Sequence, residues 1–196
     1  NTVDISTATG AQSALSVLDK AINTVTDSRA SMGAYQNRLT AAIANLETPL
    51  GGEPYSGFPM FSAPDAFAED LKKVGFDILV TANNHTVDKG RKGLERTLSI
   101  LDSLNILHTG SFRNQQEHDS TTPLMVETKG VKIALLSYTY GTNGIPVPKP
   151  NVVNLIDHVQ MEKDIVKARS LGAQIVIPVI HWGVEYQTYE HPSQVK

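Results

Sequence analysis

Three clusters of polar residues each follow a short apolar run, and their side chains are of kinds that bind divalent metals. The clusters are Asn45-Leu46-Glu47 after Ile43-Ala44, Asn83-Asn84-His85 after Leu79-Val80-Thr81-Ala82, and His181-Trp182-Gly183-Val184-Glu185-Tyr186 after Val179-Ile180. Open α/β sheets bind ligands beyond the carboxyl ends of their strands, so we expect the clusters to share one rim. Carboxylate, carboxamide and imidazole groups suit Mn, Fe, Zn or Mg, and such metals can activate water and stabilise a phosphoryl group.

Each cluster also has a structural interpretation when it is taken alone. An Asn-Glu pair is commonly a solvated loop, and a histidine after a strand is commonly a structural residue. Asn83-Asn84-His85 could form only a turn with an asparagine in the left-handed region, and Trp182-Gly183 could be a packing corner. The functional interpretation is favoured because all three clusters follow predicted strands at the same end.

The elements that must position these clusters alternate between strand and helix from residue 45 onward. Helices are predicted at 64–74, 94–104 and 157–171. Strands are predicted at 76–80, 107–110, 124–127, 131–138 and 174–180. Lys129-Gly130 is typical of a hairpin turn, and the apolar run 174–180 is typical of a strand buried on both faces. The alternation predicts an α/β fold with a mostly parallel sheet and helices on its faces.

The first 45 residues have a different pattern of apolar and polar residues. Apolar residues recur with heptad spacing, which predicts a long amphipathic helix from Thr7 to Ala44. The apolar positions are Ala11, Leu15, Leu18, Ile22, Val25, Met32, Leu39, Ile43 and Leu46. A helix of this length exceeds the usual globular helix, which favours packing against a partner helix over packing on its own domain.

Composition excludes several classes of function. The net charge is −3 and the pI is near 6.1, so nucleic-acid binding has no compositional support. The absence of cysteine excludes disulfides, thiolate metal sites and a cysteine nucleophile. No apolar run reaches the roughly 20 residues that cross a bilayer, and the first residues carry no signal-peptide pattern. Nucleotide-binding and serine-hydrolase motifs are not found.

Residues 1–46 resemble the C-terminal conserved region of bacterial flagellin. The matching stretches are Asp4-Ile5-Ser6-Thr7-Ala8, Leu18-Asp19-Lys20-Ala21-Ile22, Ser28-Arg29-Ala30 and Gly33-Ala34-Tyr35-Gln36-Asn37-Arg38-Leu39. The resemblance implies a helix of a filament-core coiled coil. In flagellin a terminal helix follows this region. Here a different residue pattern begins at Gly51 instead.

Residues 45–196 resemble the CapA family, which has the calcineurin-like metallophosphoesterase fold and is linked to poly-γ-glutamate capsule synthesis. The motifs stand in the family's order: Asn45-Leu46-Glu47-Thr48-Pro49-Leu50, Phe61-Ser62-Ala63-Pro64, Gly75-Phe76-Asp77, Ala82-Asn83-Asn84-His85 with Asp88 and Gly90, and His181-Trp182-Gly183-Val184-Glu185-Tyr186. The resemblance implies a layered α/β sheet with flanking helices. It divides the chain into a flagellin-like helix at 1–45 and a partial CapA-like domain at 46–196.

The resemblance also implies roles for individual residues. Glu47, Asn84 and His181 correspond to metal ligands, and His85 corresponds to the histidine that assists at the phosphoryl group or the leaving oxygen. The candidate substrate-binding residues are Asn45, Asn83, Trp182, Glu185 and Tyr186. The family's opening Gly-Asp motif and its later Gly-His-His-Pro-His motif are both missing. We therefore expect an incomplete site that holds one weakly bound divalent metal or retains none.

Two hypotheses follow. The first is a capsule or poly-γ-glutamate synthesis protein with a metal-dependent, phosphoesterase-type hydrolase site, located at the bacterial cell envelope or outside the cell. Its substrate would be an anionic polymer or a phosphorylated compound, and its N-terminal helix could mediate self-association. The second is a flagellin-like filament segment, naturally fused or artificially joined to a CapA-like fragment near Asn45.

Overall fold

The computed structural model describes residues 43–195. The strands are β1 (Ile43–Asn45), β2 (Ile78–Val80), β3 (Leu107–Thr109), β4 (Ser111–Phe112), β5 (Leu124–Thr128), β6 (Val131–Thr139), β7 (Val152–Val153) and β8 (Ile175–His181). The helices are α1 (Asp65–Lys73), α2 (Gly90–Ser103), α3 (Gln115–Thr121) and α4 (His158–Ser170), and a short 3-10 helix spans Pro192–Gln194. The predicted helices and strands of residues 64–181 are thus confirmed in type and order.

The first sheet holds three parallel strands in the order β1-β2-β3. Central β2 is buried along its whole length, as expected for an apolar strand with a neighbour on each side. The register sets Asn45 of β1 beside Val80 of β2. Because the strands are parallel, the chain leaves both of them at the same edge of the sheet.

Helices α1 and α2 cover one face of this first sheet. Leu79 of β2 packs with Ala68 of α1 and Leu101 of α2 in one buried cluster. Along α2, Leu94 and Leu98 are also buried, one helical turn apart, as an amphipathic helix requires.

The second sheet has the order β5-β6-β8. Strands β5 and β6 form an antiparallel hairpin, and β8 pairs with β6 in parallel. Lys129 and Gly130, between β5 and β6, have φ of 51° and 78°. Positive φ at both central residues is typical of the two-residue turns that join hairpins, so the predicted hairpin is confirmed.

The two sheets pack face to face. Ile78 of β2 lies in one apolar cluster with Ile133 and Leu135 of β6. Ala134, which alternates to the other face of β6, packs with Ala168 of α4. Because neighbouring strand residues point to opposite faces, these clusters order the layers as helix, sheet, sheet and helix.

Two sheet predictions were wrong. The strands form two three-stranded sheets and the small β4-β7 pair, where one mostly parallel sheet was expected. The strand at 174–180 was predicted to be buried on both faces, but β8 is half-buried, with Ile175 and Pro178 exposed. Within residues 43–195, β8 pairs only with β6, so it lies at an edge of the sheet. The prediction failed because an apolar run does not specify how many neighbouring strands will pair with it.

The predicted helix from Thr7 to Ala44 lies outside the described residues except at its end. There the prediction was wrong, because Ile43 and Ala44 belong to β1. Their backbone pairs with Ile78 and Leu79, so this short apolar segment gains a place in the sheet. The division of the chain near residue 45 stays a prediction.

Candidate functional site

The structure brings Asn84 and His181 together, although 97 residues separate them in the sequence. His181 is the last residue of β8, and Asn84 lies in the loop that follows β2. The Oδ1 atom of Asn84 is 2.8 Å from Nε2 of His181. This contact joins the carboxyl ends of strands from the two different sheets at one rim.

Asn83 links the loop after β2 to the loop after β1. It is completely buried, and its Nδ2 donates to Oδ1 of Asn45 at 3.1 Å and to the carbonyl of Leu46 at 2.9 Å. Its Oδ1 accepts from the backbone N–H of His85 at 3.0 Å. Asn83 therefore holds the two loops in place, and a direct contact with substrate would require these bonds to break.

Glu47 lies on the exposed side of the same rim. Its Oε2 accepts a hydrogen bond of 3.2 Å from Nδ2 of Asn45, which in turn is held by Asn83. Glu47 thus faces solvent next to the two strand ends, with Asn45 as its hydrogen-bond partner among the described residues.

His85 is fixed from one side by a buried carboxylate. Its Nδ1 is 2.7 Å from Oδ2 of Asp88, and their side chains are 5% and 0% exposed. The same oxygen accepts from the backbone N–H of Phe61 at 2.7 Å, and the ring of Phe61 meets the His85 imidazole edge-on at 4.4 Å. Because an ionised carboxylate only accepts hydrogen bonds, this arrangement places the ring hydrogen on Nδ1 and leaves Nε2 for other contacts.

Two residues of the rim were not singled out from the sequence. Tyr140 follows β6 directly, and its ring stacks on His181 at 6.1 Å with an interplanar angle of 16°. Asn143 accepts at Oδ1 a 3.1 Å hydrogen bond from Nδ2 of Asn84. Thr142-Asn143-Gly144 is recognisable as a turn, but the sequence does not indicate which side chain the turn faces. Asp88 could have been assigned from its i, i+3 spacing to His85.

Burial and two acidic side chains influence Tyr140. Burial, and then the carboxylates of Glu185 and Glu47, raise the pKa of the Tyr140 hydroxyl above its ordinary value. The two carboxylates thus act electrostatically on the ring that stacks on His181.

The loop after β8 supplies the remaining candidates. Trp182 is half-buried, and its carbonyl accepts a hydrogen bond from Gln194. Glu185 is exposed and lies close enough to influence Tyr140. Tyr186 is 97% exposed, so its side chain faces solvent. Substrate contacts by these residues stay a prediction.

The donor set can be compared with the needs of a divalent ion. Within residues 43–195, no group of three His, Asp or Glu side chains could hold a metal, so a metal site in this part of the chain would need a carboxamide ligand. Neighbouring ligands that bind one ion at about 2.1 Å lie about 3 Å apart. The 2.8 Å between Asn84 Oδ1 and His181 Nε2 matches that spacing. The same distance is that of a hydrogen bond in which Nε2 donates to Oδ1, so a metal held by both atoms would replace that hydrogen.

None of the helices in the described part of the chain is both long and apolar enough to cross a membrane.

These features define a layered α/β protein whose polar side chains converge where strands of two facing sheets end. The model of the family described as bacterial capsule synthesis protein PGA_cap matches residues 4–196. The chain belongs to this family, and the resemblance inferred from the sequence motifs is confirmed.

Individual relatives agree with this assignment. The chain is 28% identical over 139 residues to "Capsule biosynthesis protein CapA" of Bacillus anthracis. The aligned segment covers 68% of this chain and 33% of that protein. It is 36% identical over 104 residues to "Uncharacterized protein y4sH" of Sinorhizobium fredii, covering 48% of this chain and 22% of that protein. The chain thus spans a third or less of the length of either relative.

A short part of the chain matches a different class of protein. "Flagellin B" of Vibrio cholerae is 51% identical over 45 residues, which is 23% of this chain and 12% of that protein. The resemblance to flagellin is therefore confirmed for a short segment.

Proposed function

We propose that this chain carries part of a capsule-synthesis protein with a divalent-metal-assisted site at the rim formed by β1, β2 and β8. Glu47, Asn84 and His181 would hold the ion, which would be Mn, Fe, Zn or Mg. The observation that supports this proposal most directly is the 2.8 Å approach of Asn84 Oδ1 to His181 Nε2. In this contact Nε2 donates its hydrogen to Oδ1. An ion that replaced this hydrogen would meet a lone pair on each atom, at the spacing of adjacent ligands.

A bound ion of this class supplies Lewis-acid stabilisation of a phosphoryl or carbonyl oxygen. The chain's own residues supply the orientation. Asp88 fixes the His85 ring through Nδ1, so Nε2 can hold the proton that a general acid delivers to a leaving oxygen. Asn83 fixes the backbone N–H of His85, and the Phe61 ring excludes water from one side of the imidazole.

The proposed substrate is an anionic polymer, such as poly-γ-glutamate, or a phosphorylated compound. This class is supported by membership of the capsule-synthesis family and by the name of the Bacillus anthracis relative. Asn45, Trp182, Glu185 and Tyr186 would contribute contacts around the rim, and Asn83 would act from beneath it. The same family relationship supports a location at the bacterial cell envelope.

We further propose that the helix–sheet–sheet–helix layering is a metallophosphoesterase-like fold. The facing apolar clusters of β2 and β6 support this assignment. Residues 1–45 would form a separate flagellin-like segment, and residues 46–196 would form the CapA-like domain.

Metal binding and turnover test the proposal directly. Because the site is expected to be incomplete, purified protein should bind Mn²⁺ only weakly in titration calorimetry. With added Mn²⁺ it should hydrolyse bis-p-nitrophenyl phosphate or p-nitrophenyl phosphate. Asn84→Ala and His181→Ala should each abolish both signals. His158→Ala removes an exposed histidine at the start of α4 and should change neither. Unchanged binding and rates in the Asn84 and His181 variants would remove these residues from the mechanism.

A second candidate function is structural, and the flagellin match supports it. Residues 1–45 would belong to a filament subunit that was fused to, or artificially joined with, a CapA-like fragment. The 51% identity to Flagellin B over 45 residues favours a flagellin origin for this short segment. Genomic sequencing across codons 40–52 tests the junction. A continuous reading frame supports a natural fusion, and a break within these codons contradicts it.

A further inference from the structure

The Asn84 carboxamide has two ends of similar shape and opposite chemistry, and its orientation decides what it offers at the rim. Its Nδ2 donates to Asn143 Oδ1 at 3.1 Å, and its Oδ1 lies 2.8 Å from His181 Nε2. Carboxamide oxygen accepts hydrogen bonds and binds metals, whereas carboxamide nitrogen only donates. The orientation is held from both ends, because Asn143 accepts from the nitrogen and Nε2 of His181 donates to the oxygen.

The turn that carries Asn143 is held in a defined shape. Asn143 and Gly144 have φ of 51° and 74°, and the N–H of Ile145 donates to the carbonyl of Thr142 at 2.9 Å. Positive φ at both central residues favours Asn-Gly. The Thr142 hydroxyl donates to the Ile145 carbonyl at 2.6 Å, and Ile145 packs on the buried cluster that includes Leu94. The turn therefore presents the Asn143 side chain from a fixed position.

We propose that Asn143 is a positioning residue that fixes the orientation of the Asn84 carboxamide, so that its oxygen faces His181. The consequence for metal affinity rests on the proposed function. Without the acceptor on Asn143, the Asn84 side chain can turn over. With the His181 ring hydrogen on Nδ1, Asn84 can then donate from Nδ2 to His181 Nε2. That orientation occupies the lone pair of His181 and directs an N–H group where an ion would need an oxygen.

Two substitutions at position 143 separate the acceptor from the backbone shape. Asn143→Gly removes the acceptor and keeps the positive φ, which glycine adopts readily. Asn143→Asp keeps an oxygen at the same distance, and its carboxylate can only accept, so it should hold Asn84 in the same orientation. Asn105→Gly is a matched control, since Asn105 has a similar φ of 52° and lies after α2, away from the rim.

The first measurement needs no metal. In ¹H–¹⁵N spectra, the side-chain NH₂ signals of Asn84 should shift and exchange faster with solvent in Asn143→Gly. They should keep their positions in Asn105→Gly and remain protected in Asn143→Asp. Asn84 signals in Asn143→Gly that stay as in the wild type would overturn the proposal, whatever happens to metal binding.

The second measurement is the Mn²⁺ dissociation constant from titration calorimetry. Removing a side chain that orients a ligand typically weakens metal binding about 10- to 100-fold, and Asn143→Gly is expected in that range. Asn143→Asp should bind at least as tightly as the wild type. If the wild type binds no Mn²⁺ while the Asn84 signals respond as described, the metal proposal fails and the positioning of Asn84 stands. Equal affinity in wild type and Asn143→Gly would refute the stated consequence for the site.

Discussion

Replacing Asp88 by alanine should destabilise the fold far more than replacing an exposed aspartate. The Asp88 side chain is 0% exposed, and its Oδ2 accepts from the N–H of Phe61 and contacts Nδ1 of His85, both at 2.7 Å. In Asp88→Ala both donors lose a charged acceptor in a place that water cannot reach. The loop from residue 83 to 88 and the segment at Phe61 would lose their common attachment.

The magnitude follows from these contacts. Hydrogen bonds to a charged group contribute about 1.5 to 3 kcal/mol each, so losing both would cost about 3 to 6 kcal/mol. The Oδ1 atom of Asp88 is buried without a partner among the described residues, and its removal relieves about 1 to 2 kcal/mol of desolvation. The net expectation for Asp88→Ala is a loss of about 3 kcal/mol. Asp88→Asn keeps an acceptor oxygen and loses the charge, so its cost should be smaller.

Urea unfolding followed by circular dichroism and by the fluorescence of the single tryptophan measures this difference. Asp70→Ala is the control, because Asp70 pairs with Lys73 on the surface of α1 and both side chains are about 70% exposed. Exposed pairs contribute less than about 1 kcal/mol. A loss of less than about 1 kcal/mol in Asp88→Ala, or a loss equal to that of Asp70→Ala, would refute the assignment of Asp88 as the anchor of the His85 loop.

Two further predictions concern the framework around the rim. Gly110→Ala should lower the free energy of unfolding in urea by about 2 to 4 kcal/mol, because a Cβ there would lie 2.6 Å from the backbone nitrogen of Ala82 at a φ of 113°. The control Gly130→Ala has open space around it and should cost only the left-handed penalty of about 1 to 2 kcal/mol. Equal losses in the two variants would refute the steric argument. Hydrogen bonding to Arg96 lowers the pKa of Asp65 from 3.8, so the contribution of this pair is present above about pH 4 and is lost as the pH falls through the lowered value. At about pH 7, Asp65→Asn should therefore be less stable than the wild type by under about 1 kcal/mol, because the pair is partly exposed. This difference in unfolding free energy should shrink in acid. A difference that grows below about pH 3 would contradict the predicted direction of the pH dependence.

Much of the local structure could be predicted because it depends on nearest neighbours in the sequence. The apolar spacing of Leu94, Leu98 and Leu101 specifies the buried side of α2. Lys129-Gly130 specifies the hairpin turn. The family motifs were recognisable for the same reason, since each one is a short continuous stretch.

The candidate site was predicted in part. That polar clusters follow strands is visible in the sequence, and the structure places Asn84 and His181 in contact at one rim. Their role as metal ligands stays a prediction. The parts played by Tyr140 and Asn143 could not be predicted, because they come from the end of β6. Their relation to Asn84 and His181 exists only once β8 pairs with β6 and the two sheets face each other.

The sequence was sufficient for the family resemblance, for the helices at 64–74, 94–104 and 157–171 with five of the strands, and for the residue types available for chemistry. It did not predict β4, α3 or β7. Tertiary structure alone decided that the strands form two facing sheets, that β8 lies half-exposed next to β6, and that Asn143 holds the nitrogen of Asn84. Hydrophobic periodicity is a local property of the chain, so it specifies which face of an element is buried. It does not specify the partner, because strand pairing and side-chain hydrogen bonds join residues that are far apart in sequence.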